Sequence, residues 1–355
     1  MSPKKWIRSF ICLVLAVMAL LCAAAWAVDP YMQFRVRDNA CLLNARFADA
    51  GLIANYDYDT LIVGSSMTQN FNMDLFRAEL GCKPLHVSLG GLNALEMSQL
   101  VQAAYRAGRA EALYLCVDLS YFTDDPAESQ LPAHLFRSDI LSRLRYLLSY
   151  EVWFRYIPAD AALAAADLLG LSLPPKYARS RSIDLLENWS MDEPVGEEIF
   201  LRNAWLASAP AQPPDGGALF AEMTARADAF LDGFDFSRCR HVFFFPPYSS
   251  LFWYNAYLTQ DYGLYMKAKE YFVLRARELG AEVYDFQGAA FTSDMGQYRD
   301  ILHYGPEVND WMTRCFAAGE YEAFPERFRD TQAAIAKNMR RFLARFLKAY
   351  PAKIS

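Results

Sequence analysis

Two short stretches, far apart in the chain, carry residue types suited to acyl transfer. The first is Gly64-Ser65-Ser66-Met67-Thr68, directly after the apolar run at 58–63. A serine on a tight strand-to-helix turn is exposed beside helix N-terminal amides, which can stabilise a developing oxyanion. A hydroxyl alone is a poor nucleophile and needs a base within hydrogen-bond reach. The second stretch runs from Tyr298 to Pro306 and places Asp300 three residues before His303. Residues at that spacing share a face of a turn or helix. Asp300 can then hold the imidazole in one tautomer, leaving its other nitrogen to take a proton from Ser66. Each stretch also has a purely structural alternative. Ser66 can cap a helix start, and His303 can sit at a helix end.

For this chemistry to work, the two stretches must be brought together. The chain offers five strand candidates: 58–64, 85–89, 112–117, 241–245 and 282–286, each apolar and each bounded by turn residues. Helical patterns fall at 70–80, 94–108, 261–279, 306–319 and 327–349. Strands alternating with helices predict an α/β fold with a mainly parallel five-stranded sheet. Such sheets bind ligands outside the carboxyl ends of their strands. Ser66 follows the first strand, and the Asp300–His303 pair follows the last. Gly90 and Gly91 end the second strand, and Asp118 ends the third. Asn93 opens the next helix, as a donor into the cleft or as its cap. Asp118 either lines the cleft or caps a turn. Pro246-Pro247-Tyr248-Ser249 follows the fourth strand, as a groove wall or as a rigid turn.

The stretch 122–235 interrupts the alternation and reads as a mostly helical insertion, punctuated at Leu173-Pro-Pro175 and by a polar linker at 209–217. Residues 30–56 show no clear period and read as a connecting segment.

Residues 1–8 carry three positive charges, and residues 9–28 carry none. Twenty helical residues span ~30 Å, the thickness of a bilayer core. Basic residues before the span predict a cytoplasmic tail and place the rest outside the cytoplasm. Ala25-Trp26-Ala27 also fits a cleavage site, so a secreted form after removal of a signal peptide is the alternative to a single-pass anchor.

Composition excludes several classes. Hydrophobic residues are 54% and charged residues 21%, which rules out general disorder. With 35 basic and 41 acidic residues the net charge is −6, against the basic footprint that nucleic acid requires. The seven cysteines form no CxxC motif, so zinc ribbons are not expected; no dense disulfide framework is indicated, and Cys41–Cys82 is one candidate bridge, since spacing alone does not fix connectivity. Asp57 and Asp59 are spaced like metal ligands but lack further oxygen ligands nearby. No GxGxxG, P-loop, HExxH or GxSxG motif occurs. The expectation is a protein without metal or cofactor.

An early serine block joined to a late Asp-x-x-His resembles the SGNH/GDSL hydrolase superfamily, in order, from about residue 58 to 312. Gly64-Ser65-Ser66 looks like the form found in membrane-anchored D-alanyl-transfer proteins of teichoic-acid modification. The phrase from Asp300 to Trp311, with Asp29-Pro30-Tyr31 and Pro246–Ser249, is similar to bacterial membrane-anchored SGNH-like proteins. The resemblance implies a three-layer α/β/α fold, with Ser66 as nucleophile, His303 as base and Asp300 as its orienting acid. Gly90 or Gly91 matches the glycine that donates to the oxyanion. One departure stands out: the superfamily's third block carries an Asn, and here the third strand ends Cys116-Val117-Asp118-Leu119. An oxyanion donor is therefore missing or replaced, with Asn93 as one substitute. The implied activity is an esterase or O-acyltransferase working on acyl esters of envelope glycans or related polymers, with a multi-span membrane acyltransferase as a further partner. The departure keeps a second expectation open, a non-catalytic binding or assembly module.

Overall fold

The structure is a computed structural model that describes residues 2–37, 44–125, 127–171, 194–210 and 216–350. The expected loop at 173–175, most of the polar linker and Cys41 lie outside the described residues. The chain divides into two compact units, Met1–Tyr56 with Gln130–Leu186, and Asp57–Ser129 with Glu187–Ser355.

The second unit is built on one all-parallel sheet of five strands. These are β1 (Thr60–Gly64), β2 (Pro84–Ser88), β3 (Ala112–Cys116), β4 (Arg240–Phe245) and β5 (Glu282–Asp285), in the order β2-β1-β3-β4-β5. Every pairing is parallel and in continuous register, with Leu61 opposite Leu85 and Leu113, and Leu115 opposite Phe243. Each strand lies within two residues of its expected position. Parallel strands are covered on both faces and so read as unbroken apolar runs. All five residues of β1 are buried, as are Phe243, Phe244 and Phe245 of β4.

The helices begin and end where local chemistry directs them. Asn93 and Glu96 form a reciprocal capping box at the start of Ala94–Ala107, and Gly108 ends that helix at φ +64°. Pro306 occupies the first turn of Pro306–Ala318, which Gly319 ends at φ +66°. The long helices Tyr262–Glu278 and Phe328–Ala349 complete the order seen in the sequence.

From β1 the chain proceeds to β2 on one side, then crosses to β3 on the other. The strand order therefore reverses at β1, and a crevice opens between the carboxyl ends of β1 and β3. Ser65 and Ser66 leave β1 at that point, and Asp118 lies two residues beyond β3.

In the first unit, helix Pro3–Val28 is 26 residues long and contains an 18-residue stretch with a mean hydropathy of 2.7, long and apolar enough to cross a membrane. It ends at Asp29, whose buried carboxylate accepts the N–H groups of Gln33, Phe34 and Arg35 and the hydroxyl of Tyr146. The segment expected as a connector contains a helix, Ala45–Asn55. Ala45, Ala48, Ala50, Gly51 and Ala54 are interspersed with Arg46, Asp49 and the larger apolar residues, so the apolar period is weak. Gly51 serves close approach instead: a Cβ there would fall 2.1 Å from the carbonyl oxygen of Tyr31. The helical stretch read as one insertion is shared between the units. Ile140–Leu147 and Ile157–Leu168 belong to the first, and Glu197–Asn203 and Gly216–Leu231 to the second.

Candidate active site

The local fold around Ser66 follows from glycine and from one buried hydroxyl network. Gly64 ends β1 where a Cβ would meet the Thr68 side chain at 2.3 Å and the Cβ of Cys116 at 2.8 Å. Only hydrogen fits there, so the chain can turn sharply into the short 3-10 helix Ser66–Thr68. The carbonyl of Ser65 accepts the hydroxyls of Thr68 and Ser88, at 3.0 and 2.8 Å. The carbonyl of Met67 accepts the Tyr304 hydroxyl at 2.8 Å and the Asn309 amide at 3.2 Å. The residues on both sides of Ser66 are thus held by their main-chain oxygens.

The loop carrying His303 is clamped in the same way. The N–H and hydroxyl of Ser249 both donate to the Ile301 carbonyl, at 3.1 and 2.8 Å. The Tyr298 hydroxyl donates to the Pro247 carbonyl at 2.8 Å. The turn Pro246–Ser249 therefore fixes the histidine loop.

Between these two frames the Ser66 Oγ lies 2.8 Å from His303 Nε2, and His303 Nδ1 lies 2.8 Å from Asp300 Oδ2. The second carboxylate oxygen, Oδ1, accepts the N–H groups of Leu302 and His303, both at 2.8 Å. An ionised carboxylate only accepts, so the imidazole proton is on Nδ1 and Nε2 presents its lone pair to the serine O–H. Burial alone would raise the Asp300 carboxyl. The ring and backbone N–H bonds of His303, its charge and the Leu302 N–H outweigh that and hold it below the usual carboxylate range. Asp300 is thereby kept ionised.

Ser66 and His303 open into a cleft of about 700 Å³ that also receives Gly91, Asn93, Asp118 and Tyr248. Gly91 has φ +67° and stands third in the turn closed by the Leu92 N–H on the Leu89 carbonyl, a position that favours glycine. Among the described residues the N–H groups of Ser66 and Gly91 donate to no protein acceptor. Gly90 adjoins Gly91 but does not line the cleft. Asn93 lines it, yet its oxygen caps the Glu96 N–H and its amide donates to the Glu128 carbonyl at 3.1 Å. Asp118 accepts the Tyr248 hydroxyl at 2.8 Å and also bonds the Ser65 side chain. Burial pushes its carboxyl above the usual range, against the pull of those two bonds and of His303. The remaining cleft wall is largely apolar, with Leu92, Leu95, Phe230 and Phe252 among its members.

The other histidines stand elsewhere. His86 and His241 are buried within β2 and β4, and His134 belongs to the first unit. Asp57 pairs with Lys83, and Asp59 accepts the Lys83 N–H and the Thr60 hydroxyl. Sequence reasoning assigned no role to Tyr304 or Asn309, although both stand in the Asp300–Trp311 phrase. Their contacts are to a main-chain carbonyl, which leaves no side-chain pattern to read.

Comparison of the chain with protein-family models finds no match, and comparison with curated proteins finds none either. The functional reading therefore rests on the residues and their geometry.

Proposed function

We propose that the chain is a membrane-anchored serine esterase or O-acyltransferase, acting outside the cytoplasm on acyl esters of cell-envelope glycans or related polymers. The observation that supports this most is the unbroken chain of contacts from Ser66 Oγ through the His303 ring to Asp300, each at 2.8 Å. Ser66 attacks the acyl carbonyl as its proton passes to His303 Nε2, and Asp300 stabilises the imidazolium. The carbonyl oxygen becomes an oxyanion facing the N–H groups of Ser66 and Gly91. Collapse expels the alcohol, which takes the proton from Nε2, and leaves an acyl-serine. Water then regenerates the enzyme and releases the acid. A sugar or polyol hydroxyl in place of water gives a new ester.

The apolar wall of the cleft suits the acyl portion of such an ester. Helix Pro3–Val28 would hold the site at the membrane where the polymer is assembled, and a multi-span acyltransferase is a fitting donor of the acyl group. A second reading, a non-catalytic binding module, is favoured by one feature: Asp118 follows the third strand where the resembled superfamily has an Asn donor. Reaction with a serine-directed fluorophosphonate decides between them. Wild-type protein is expected to take one label on Ser66, and Ser66→Ala and His303→Ala to take none. Undiminished labelling of both variants overturns the enzyme reading. Absence of labelling in the wild type, together with binding of an envelope glycan, supports the module.

A further inference from the structure

Helix Ile140–Leu147 in the first unit has two contrasting faces. Ser142, Tyr146 and Leu147 are buried. Ile140 and Leu141 are 73% and 75% exposed, and Arg143 and Arg145 are exposed beside them. In the following turn Tyr150 and Phe154 stack at 5.2 Å yet remain 68% and 70% exposed. Large exposed apolar side chains with cationic neighbours mark places of contact rather than faces made for water.

What covers this surface follows from how the helix is held. Asp29 is the residue next after Val28, and its carboxylate accepts the Tyr146 hydroxyl at 3.0 Å. The same Tyr146 oxygen accepts the Tyr31 N–H at 3.2 Å. Helix 140–147 also packs directly against helix 3–28. At that end of the apolar helix, the guanidiniums of Arg35 and Arg37 donate to the carbonyls of Ala27 and Val28. Arg35 also lies 4.8 Å over the ring of Trp26. A tryptophan with a cation stacked on it, at the end of a membrane-length helix, matches the headgroup layer of a bilayer. Helix 140–147 is tied to Asp29 and Tyr31, the first and third residues after helix 3–28, so it is held at that depth.

We propose that the outward face of residues 140–154 lies in the headgroup–acyl boundary of the bilayer that helix 3–28 enters. Ile140, Leu141, Tyr150 and Phe154 insert among the upper acyl carbons, and Arg143 and Arg145 pair with lipid phosphates. The inference rests on the membrane-crossing reading of helix 3–28. It gives the first unit a function of its own, a second point of attachment that removes rotational freedom from a single-helix tether.

The test uses the full chain in vesicles of phosphatidylethanolamine and phosphatidylglycerol. A photoreactive benzoylphenylalanine is placed singly at Leu13, Leu141 or Phe154, with Leu347 setting the background. After irradiation, mass spectrometry is expected to find lipid adducts at Leu13, and adducts at Leu141 and Phe154 at least several-fold above background. Adducts at Leu13 with only background at Leu141 and Phe154 overturn the proposal and leave the span intact. Crosslinks from Leu141 or Phe154 to a second copy, or to another protein, overturn it in favour of a protein occupant. Absence of lipid at Leu13 removes the membrane reading itself, and the proposal with it.

Discussion

Two acid–base pairs of the second unit, Asp300–His303 in the cleft and Asp285–Lys269 between β5 and helix 262–278, have opposite fates. Asp300 and His303 are each about a quarter exposed and leave Nε2 aimed at a hydroxyl in an open cleft. Asp285 and Lys269 are sealed. The lysine is 0% exposed, donates to Asp285 Oδ1 at 2.8 Å, lies at ion-pair distance of 2.7 Å from Oδ2, donates to Gln287, and lies within 6.0 Å of the ring centres of Phe245, Trp253 and Phe328. Burial pulls the lysine pKa down, and the Asp285 charge opposes that. The lesson concerns the third partner. A carboxylate that orients a base with a free lone pair can drive chemistry, whereas one whose cation is caged by rings serves only to connect β5 to helix 262–278.

That contrast can be broken from either side. Asp300→Asn is expected to cost about 10⁴-fold in kcat, because the amide favours the wrong tautomer of His303. Its thermal unfolding should change little, since Asp300 is part-exposed. A rate near wild type would remove Asp300 from the mechanism. Lys269→Met is expected to do the reverse and lower unfolding stability by about 3–5 kcal/mol, because Asp285 is left charged and unpaired. Coupling it with Asp285→Leu should recover most of that loss in denaturant unfolding, a result that an independent role for either residue would not give.

Asp118 stands between the two cases, half-enclosed beside the cleft. Its carboxyl holds a proton to higher pH in the folded than in the unfolded state. Its contribution to stability is therefore complete below the unfolded value and falls as pH rises through the folded one. Asp118→Asn should gain Tm relative to wild type at pH 7 and gain less at pH 4. An equal difference at both values would show that the group does not titrate there. The smallest effect is expected from Tyr304→Phe. It loses one hydrogen bond to the Met67 carbonyl, worth about 1 kcal/mol, while Asn309 keeps the other. Fluorophosphonate labelling should slow modestly and remain complete.

The sheet was readable because its strands centre on short apolar runs such as Leu61–Val63, Leu113–Val117 and Val242–Phe245, three of the five closed by Gly64, Gly90 or Pro246. The covering helices were readable because Asn93, Gly108, Pro306 and Gly319 mark their ends. The residues Ser66, Asp300 and His303 could be named for the same reason: a turn and an i,i+3 spacing are local. What holds them is not local. Tyr304 and Asn309 reach a carbonyl 237 and 242 residues away, and no spacing rule covers such distances. The first unit was hidden for a related reason. Its helix 45–55 intersperses Ala and Gly, with Gly51 at a close backbone contact, and its tie from Tyr146 to Asp29 spans 117 positions.

That last tie has a consequence for the order of events at the ribosome. The segment at 1–56 leaves the exit tunnel first, but the tyrosine that completes its packing is made 117 residues later than the aspartate. β1, β2 and β3 emerge in the interval, before β4 and β5 exist. Both units therefore wait, incomplete, during the same stretch of synthesis. A translation pause placed after residue 168 would favour the first unit closing ahead of the sheet, and a pause placed before residue 140 would leave the two half-built together.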